Sequence, residues 1–199
     1  RYMDQMDKPV VAALNGLAMG GGLEVAIRCH GIVSVEKAVL QFPEITLGIL
    51  PGIGGCVVPY RKWPKGAALF HEMILFGKPV PATTAAEMGI INNLVKDPAD
   101  LIAAAVKEVQ QIQDKIPRIS NAPVDIPEIS IPEMPVAGKQ PLSKDAVGIA
   151  ADTVRKASAA NDLETALEIG YAGFGDIACS PAAKEGISAF LEKRKPVFE

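Results

Sequence analysis

The chain has 199 residues, of which 49% are hydrophobic and 22% charged, so it can bury a core and is not a largely disordered protein. Its formal net charge of −3 provides no overall positive field for nucleic acid. The uncharged run at residues 10–23, like every other in the sequence, is shorter than the ~20 apolar residues that a membrane span needs. We therefore expect a cytoplasmic protein that binds neither nucleic acid nor membranes.

The cysteines and histidines do not form a recognisable covalent or metal framework. Cys29, Cys56 and Cys179 are odd in number, far apart and without a C-x-x-C pair, so we expect buried, reduced thiols. His30 and His71 are also far apart, and the sequence contains no short metal-binding spacing around them. No metal site is predicted.

The first half of the chain alternates short apolar runs with glycine-rich turns. A helix is predicted at residues 23–29, beginning inside the Gly20–Gly22 run, and residues 48–59 are predicted to be a long loop. Apolar runs bounded by turn residues predict strands at 9–14, 31–35, 38–42 and 90–95.

Three further helices in this half have a recognisable start or end. They are 64–76, which ends at Gly77, a short helix to Gly89 opened by a Thr84–Glu87 capping box, and 98–114, capped by Asp97.

A proline-rich segment divides the chain. Residues 117–141 contain six of the 16 prolines, so they cannot form a helix, and either an extended surface loop or a disordered linker fits their composition. Helices are predicted after it at 143–159, at 161–172 with Asn161 or Asp162 as its cap, and at 181–194 with Ser180 as its cap. We therefore divide the chain into an N-terminal α/β part at 1–115, a proline-rich linker or insertion at 116–142, and a C-terminal helical region at 143–199.

The strand, the three glycines and the helix that follows them form a candidate binding device. Glycines let a ligand approach the backbone, and the first N–H groups of a helix attract negative charge. Such donors can form an oxyanion hole, although tight packing or phosphate binding would use the same pattern. Neither a P-loop nor a dinucleotide-binding glycine motif is present.

Two carboxylates lie beside glycine-rich segments. Glu24 falls in the first turn of the predicted helix, and Glu44 follows a strand end at Phe42-Pro43. Two carboxylates in one apolar pocket can divide acid and base roles, because burial and mutual repulsion raise at least one pKa. The alternatives are a charge that stabilises the helix N-terminus for Glu24 and an exposed loop residue for Glu44.

Four segments resemble the crotonase (enoyl-CoA hydratase/isomerase) superfamily. They are residues 8–24 (KPVVAALNGLAMGGGLE), 42–45 (FPEI), 47–55 (LGILPGIGG) and 184–195 (KEGISAFLEKRK). The resemblance covers 8–95 and 143–199 well and implies an α/β fold, a crotonase-like spiral of ββα turns with a C-terminal helical region.

The resemblance also implies a reaction and residues for it. The Gly21 amide would be one of two oxyanion donors to the thioester carbonyl of an acyl-CoA. Glu24 would activate a water, Glu44 would deliver a proton to C2, and the Gly52 amide would help to position that water, in a syn addition to the 2,3 double bond. Coenzyme A is then part of the substrate, and no separate cofactor is needed.

The C-terminal helix has two interpretations. Lys193 and its basic neighbours would suit any helix C-terminus. The resemblance implies instead that this helix crosses to a neighbouring subunit of a homo-trimer or hexamer, where Phe190 and Lys193 contact CoA.

The sequence also departs from the family pattern. His30 stands where many relatives have Asp and Cys56 where Thr is usual, and we interpret both as structural residues. Few residues precede the glycine motif, so we expect the N-terminal part of the domain to be missing and the chain alone to have little hydratase activity.

The long proline-rich segment resembles the hydratase half of archaeal-type fusions with 3-hydroxyacyl-CoA dehydrogenase. The resemblance implies an N-terminal dehydrogenase domain as a partner, and NAD as a cofactor only where that domain is present. The leading function is 2-enoyl-CoA hydratase. The alternatives are an enoyl-CoA isomerase or another crotonase-type thioester enzyme, and an inactive fragment that serves as an assembly module.

Overall fold

The computed structural model describes residues 2–198, which form two three-stranded sheets, one parallel and one mixed, a hairpin and eight α-helices. The strands are β1 (Val11–Leu14), β2 (Leu17–Met19), β3 (Gly31–Val35), β4 (Val39–Gln41), β5 (Val80–Pro81), β6 (Asn93–Val95), β7 (Val136–Ala137) and β8 (Gln140–Pro141). The helices are α1 (Gly21–Arg28), α2 (Val58–Lys62), α3 (Ala67–Phe76), α4 (Ala82–Glu87), α5 (Leu101–Ile112), α6 (Lys144–Ala159), α7 (Leu163–Ala178) and α8 (Pro181–Leu191).

The strand pairing produces a spiral. One sheet has the order β1-β3-β6, all parallel, and the other has the order β2-β4-β5, with β2 and β4 parallel. Val11 aligns with Gly31 in the first sheet, and Leu17 aligns with Val39 in the second. The chain therefore gives one strand to each sheet, crosses through α1 and repeats the path, which confirms the predicted α/β spiral of ββα turns with a helical C-terminal region.

A continuous hydrophobic core joins the spiral to the C-terminal helices. Leu40 of β4, Ile74 of α3 and Val147 of α6 are each at most 2% exposed and belong to the same cluster. Helix α6 packs against both α3 and α7. No helix within residues 2–198 is long and apolar enough to cross a membrane.

The proline-rich segment follows the surface of this core in an extended path. Residues 116–135 contain neither helix nor strand, and β7 and β8 then form a short hairpin. The buried Arg61 of α2 donates to Ala122 O at 2.7 Å and to Ala160 O at 2.7 Å. Ile129 is only 6% exposed. One guanidinium therefore fixes the start of the segment to the end of α6.

Local signals predicted the ends of several helices correctly. Gly77 ends α3 with a left-handed φ of 63°, which glycine adopts without strain. Side chains of Asp97, Ser180 and Asp162 accept hydrogen bonds from backbone N–H groups two or three residues further on. Asp162, and not Asn161, therefore caps α7.

The capping box predicted at Thr84 is wrong, because Thr84 lies inside α4. Pro81 pairs with Val39 in the sheet, and the Ala82 N–H donates to Ala38 O at 2.9 Å, so the helix begins as soon as β5 ends. Sheet pairing thus fixes this helix start in place of a side-chain cap.

The sequence analysis also missed one strand and misjudged one cysteine. Strand β2 was not predicted, because its three residues run directly into the glycines. Cys29 and Cys56 are buried as expected, but Cys179 is exposed.

We predict that Gly186→Ala destabilises the protein by about 1–3 kcal/mol, because a Cβ there would lie 2.3 Å from Leu47 O. This contact packs α8 against the turn that begins at Glu44. Gly175→Ala is the matched control, since its Cβ would meet no atom within 4 Å and alanine favours the helix by about 0.5–1 kcal/mol. Chemical denaturation measures both, and equal stabilities of the two variants would contradict the packing described.

Candidate functional site

The glycine run places the start of α1 beside the end of β4. Gly20 has φ 53° and ψ −133°, a conformation that residues with a side chain avoid, and it reverses the chain into the helix. The Gly20 N–H donates to Gln41 O at 3.0 Å, at the last residue of β4. Since the chain reaches Glu44 three residues later, the first turn of α1 and Glu44 are neighbours.

Glu24 lies in this first turn and is 2% exposed. Its Oε1 accepts hydrogen bonds from Ile53 N and from Gly55 N, both at 2.7 Å. Burial raises the pKa of Glu24, while the amides of Gly55 and Ile53 and the charge of Arg28 oppose that rise. The carboxylate is thus buried but well supplied with donors.

Glu44 has different surroundings. It begins the 3₁₀ turn Glu44–Leu47, and its Oε1 lies 3.0 Å from the position that a Cβ on Gly20 would occupy. Its Oε2 is buried and has no hydrogen-bond partner within residues 2–198. Burial raises the pKa of Glu44 to about 7, and the neighbouring charge of Glu24 adds to the effect.

Gly21 and Gly52 border the same region. Gly21 is exposed and is the first residue of α1, so its N–H is among those that lack an acceptor within the helix. A Cβ on Gly21 would lie 3.7 Å from the Ile53 side chain, which places the glycine run against the loop. Gly52 lies against the Phe174 ring, which a Cβ would approach to 2.6 Å.

The structure therefore brings four of the six predicted site residues to the start of α1, namely Gly21, Glu24, Glu44 and Gly52. It does not bring Phe190 or Lys193 there. Phe190 is 69% exposed, and Lys193 is exposed beyond the end of α8 with a φ of 54°. Their contact with CoA stays a prediction.

Two further side chains, those of His30 and Cys56, are explained by packing, whereas a third, Arg28, contacts the loop. His30 accepts a hydrogen bond from Val10 N on Nδ1 at 2.9 Å, which supports the structural role expected of it. Cys56 is fully buried, as a packed residue would be. Sequence reasoning missed Arg28, whose signal was its position one helical turn after Glu24.

No group of three or more residues suited to hold a metal ion occurs in the part of the chain that the structure describes. The polar groups that converge at the start of α1 are carboxyl oxygens and backbone amides. These groups are equipped to move protons and to bind negative charge.

Comparison with known proteins assigns the relationship. The family model "Enoyl-CoA hydratase/isomerase" matches residues 1–126. The chain is 32% identical over 199 residues to a probable enoyl-CoA hydratase of Bacillus subtilis, covering 99% of this chain and 65% of that protein. It is 32% identical over 195 residues to a short-chain-enoyl-CoA hydratase of Clostridium acetobutylicum, covering 98% of this chain and 63% of that protein.

A solved structure of similar fold also carries a hydratase name. The carnitinyl-CoA hydratase from Mycobacterium avium superposes with a TM-score of 0.68 at 27% identity, over 100% of this chain and 66% of that one. The chain thus spans slightly less than two thirds of the length of each of these three proteins.

We predict that Glu44→Gln gains stability relative to the unsubstituted protein as the pH rises. The folded-state pKa of Glu44, about 7, exceeds the unfolded value of 4.5, so its contribution is full below pH 4.5 and is lost as the pH passes 7. Gln does not titrate, so the difference should change by up to about 3 kcal/mol across this window.

Denaturation at pH 4.5, 6 and 8 measures this difference. Glu72→Gln, at an exposed position, is the matched control for the loss of one negative charge. A Glu44→Gln difference that does not vary with pH would contradict the buried position described for this carboxyl.

Proposed function

We propose that this chain, which belongs to the enoyl-CoA hydratase/isomerase family, supplies the acid–base centre of a 2-enoyl-CoA hydratase. The reaction adds water to the 2,3 double bond of the thioester and gives a 3-hydroxyacyl-CoA. One observation carries the proposal: two adjacent carboxyls have opposite surroundings. Glu24 Oε1 receives two amide hydrogen bonds, whereas Glu44 Oε2 is buried without a partner.

These surroundings favour a division of roles. Glu24 keeps its negative charge more easily, because donors and Arg28 stabilise it, and so it suits the base that takes a proton from water. Glu44, with a pKa of about 7, holds a proton at neutral pH in a substantial fraction of molecules and suits the acid. The hydroxide adds to C3, and the proton of Glu44 goes to C2.

Backbone amides would stabilise the charge that develops between these steps. The Gly21 N–H at the start of α1 suits the thioester oxygen, which becomes negative as the hydroxide adds. The Gly52 N–H, next to the Ile53 amide that binds Glu24, suits the incoming water. This chemistry uses no cofactor beyond the coenzyme A of the substrate.

The whole protein is the natural setting for this activity, since the chain spans 65% and 63% of two relatives. We propose an acyl-CoA substrate, a cytoplasmic location, and a homo-trimer or hexamer in which Phe190 and Lys193 contact CoA. The exposed apolar side chains of Ile187, Phe190 and Leu191 on α8 support a contact with a neighbouring subunit. We also propose an N-terminal dehydrogenase domain, which would bind NAD. Residues 116–142 would be a linker or insertion between the core and the C-terminal helices.

An enoyl-CoA isomerase is the second candidate. The two amide hydrogen bonds on Glu24 would also suit a carboxylate that only holds the loop, which leaves Glu44 as the single acid–base group. A hydratase needs both carboxyls, whereas an isomerase can move one proton with Glu44 alone.

The decisive substitutions are Glu24→Gln and Glu44→Gln in the native polypeptide that contains this chain, assayed with crotonyl-CoA. A hydratase should lose about 10²–10⁴-fold in kcat in both variants, because each loses one proton transfer. Glu72→Gln is the control, since this exposed carboxylate pairs only with Lys78 at 3.5 Å among the described contacts.

Other outcomes separate the alternatives. Full turnover in Glu44→Gln would reject the proposal. Double-bond migration without hydration in the unsubstituted polypeptide, kept in Glu24→Gln and lost in Glu44→Gln, would favour the isomerase. No turnover in the unsubstituted native polypeptide would leave the assembly module as the explanation.

A further inference from the structure

Helix α1 holds the residue Ile53 from both sides of its backbone. Glu24 accepts the Ile53 N–H at 2.7 Å. Arg28, one turn further along the same helix, donates to Ile53 O from Nε at 3.0 Å and from Nη2 at 2.8 Å. The Arg28 side chain is 5% exposed, so these bonds are made away from most of the solvent.

The loop is shaped to admit this guanidinium. A Cβ on Gly54 would lie 2.8 Å from Arg28 Nη2, and Gly54 has a φ of 127° that glycine alone adopts without strain. Gly55, the next residue, donates its N–H to Glu24. Glycines at these positions therefore let both charged side chains of α1 reach the loop backbone.

Two further elements orient Arg28. Asp4, in the turn Met3–Gln5, accepts from Nη1 at 2.5 Å, and its side chain is 9% exposed. Nη2 also donates to the Tyr171 hydroxyl of α7 at 3.2 Å. The guanidinium is thus fixed by three separate parts of the chain, which makes it a rigid support.

We propose that Arg28 is a positioning residue for the hydration reaction: it holds the loop backbone at Ile53 so that the Gly52 amide and Glu24 face the water together. The inference rests on the proposed function, because it assigns Arg28 a role in that same site. Arg28 itself acts through Ile53 and Glu24 and touches no reacting atom.

Arg28 also affects the charge balance at Glu24. The titratable groups that face Glu24 are Arg28 on its own helix, Glu44 from the 3₁₀ turn and Cys56 from the loop. Arg28 lowers the pKa of Glu24, whereas burial raises it. Without the cation, the pKa of Glu24 should rise, and the pH at which the base becomes active should rise with it.

The experiment compares Arg28→Gln and Arg28→Lys in the native polypeptide. The first readout needs no substrate: amide hydrogen exchange at Ile53 and Gly55 should become at least about tenfold faster in both variants, because the paired bonds to Ile53 O are lost. Arg118→Gln is the control, since Arg118 donates to Asp4 O at 2.9 Å and not to the loop.

The second readout is crotonyl-CoA hydration as a function of pH. In Arg28→Gln, kcat should fall at least about tenfold with KM within about threefold, because positioning acts in the transition state. The acid limb of the profile should move to higher pH in Arg28→Gln and less in Arg28→Lys, which keeps the positive charge. A residue that only stabilises the fold would not move this limb.

The outcomes separate the two proposals. Unchanged exchange at Ile53 and an unchanged acid limb in Arg28→Gln would overturn the role of Arg28. Absence of hydration by the unsubstituted protein would refute the proposed function, and the exchange readout would still report whether Arg28 holds the loop. If Arg28→Gln does not fold, Arg28→Lys and Tyr171→Phe carry the same test, with faster exchange expected in each.

Discussion

The site depends on the hydrogen bonds that two side chains of α1 make with the loop backbone at Ile53. Glu24 accepts hydrogen bonds from the amides of Ile53 and Gly55, and Arg28 donates hydrogen bonds to the Ile53 carbonyl. A glycine-rich loop has little side-chain packing to fix it, and a buried carboxylate or guanidinium is unfavourable without partners. Each side therefore satisfies the other: the loop backbone solvates the buried charges, and the charges fix the loop.

The same contact makes the two carboxyls unequal. The loop amides of Ile53 and Gly55 donate hydrogen bonds to Glu24. Glu44, in contrast, has a buried oxygen without a partner among the described residues, and its pKa is raised to about 7. Their proximity comes from the spiral, because the pairing of β2 with β4 brings the start of α1 to the end of β4. Strand register thus places two carboxyls with different surroundings on adjacent elements.

Features set by neighbouring residues could be predicted from the sequence, whereas contacts between residues far apart in the chain could not. Strand β3, the glycine run with Glu24, and the caps at Gly77 and Ser180 depend on neighbouring residues, and all were predictable. The Thr84 capping box failed because sheet pairing at Pro81 fixed the helix start. Arg28 escaped notice because its partners Asp4 and Tyr171 lie 24 and 143 residues away.

We propose that Glu24 and Glu44 together add water to one face of a 2-enoyl thioester. The most direct measurement is NMR analysis of the product that the native polypeptide forms from crotonyl-CoA in D₂O. We expect 3-hydroxybutyryl-CoA with a single deuterium at C2, on the same side as the new hydroxyl, because both carboxyls lie in one site. Deuterium on the opposite side, or a product with a shifted double bond and no hydroxyl, would contradict it.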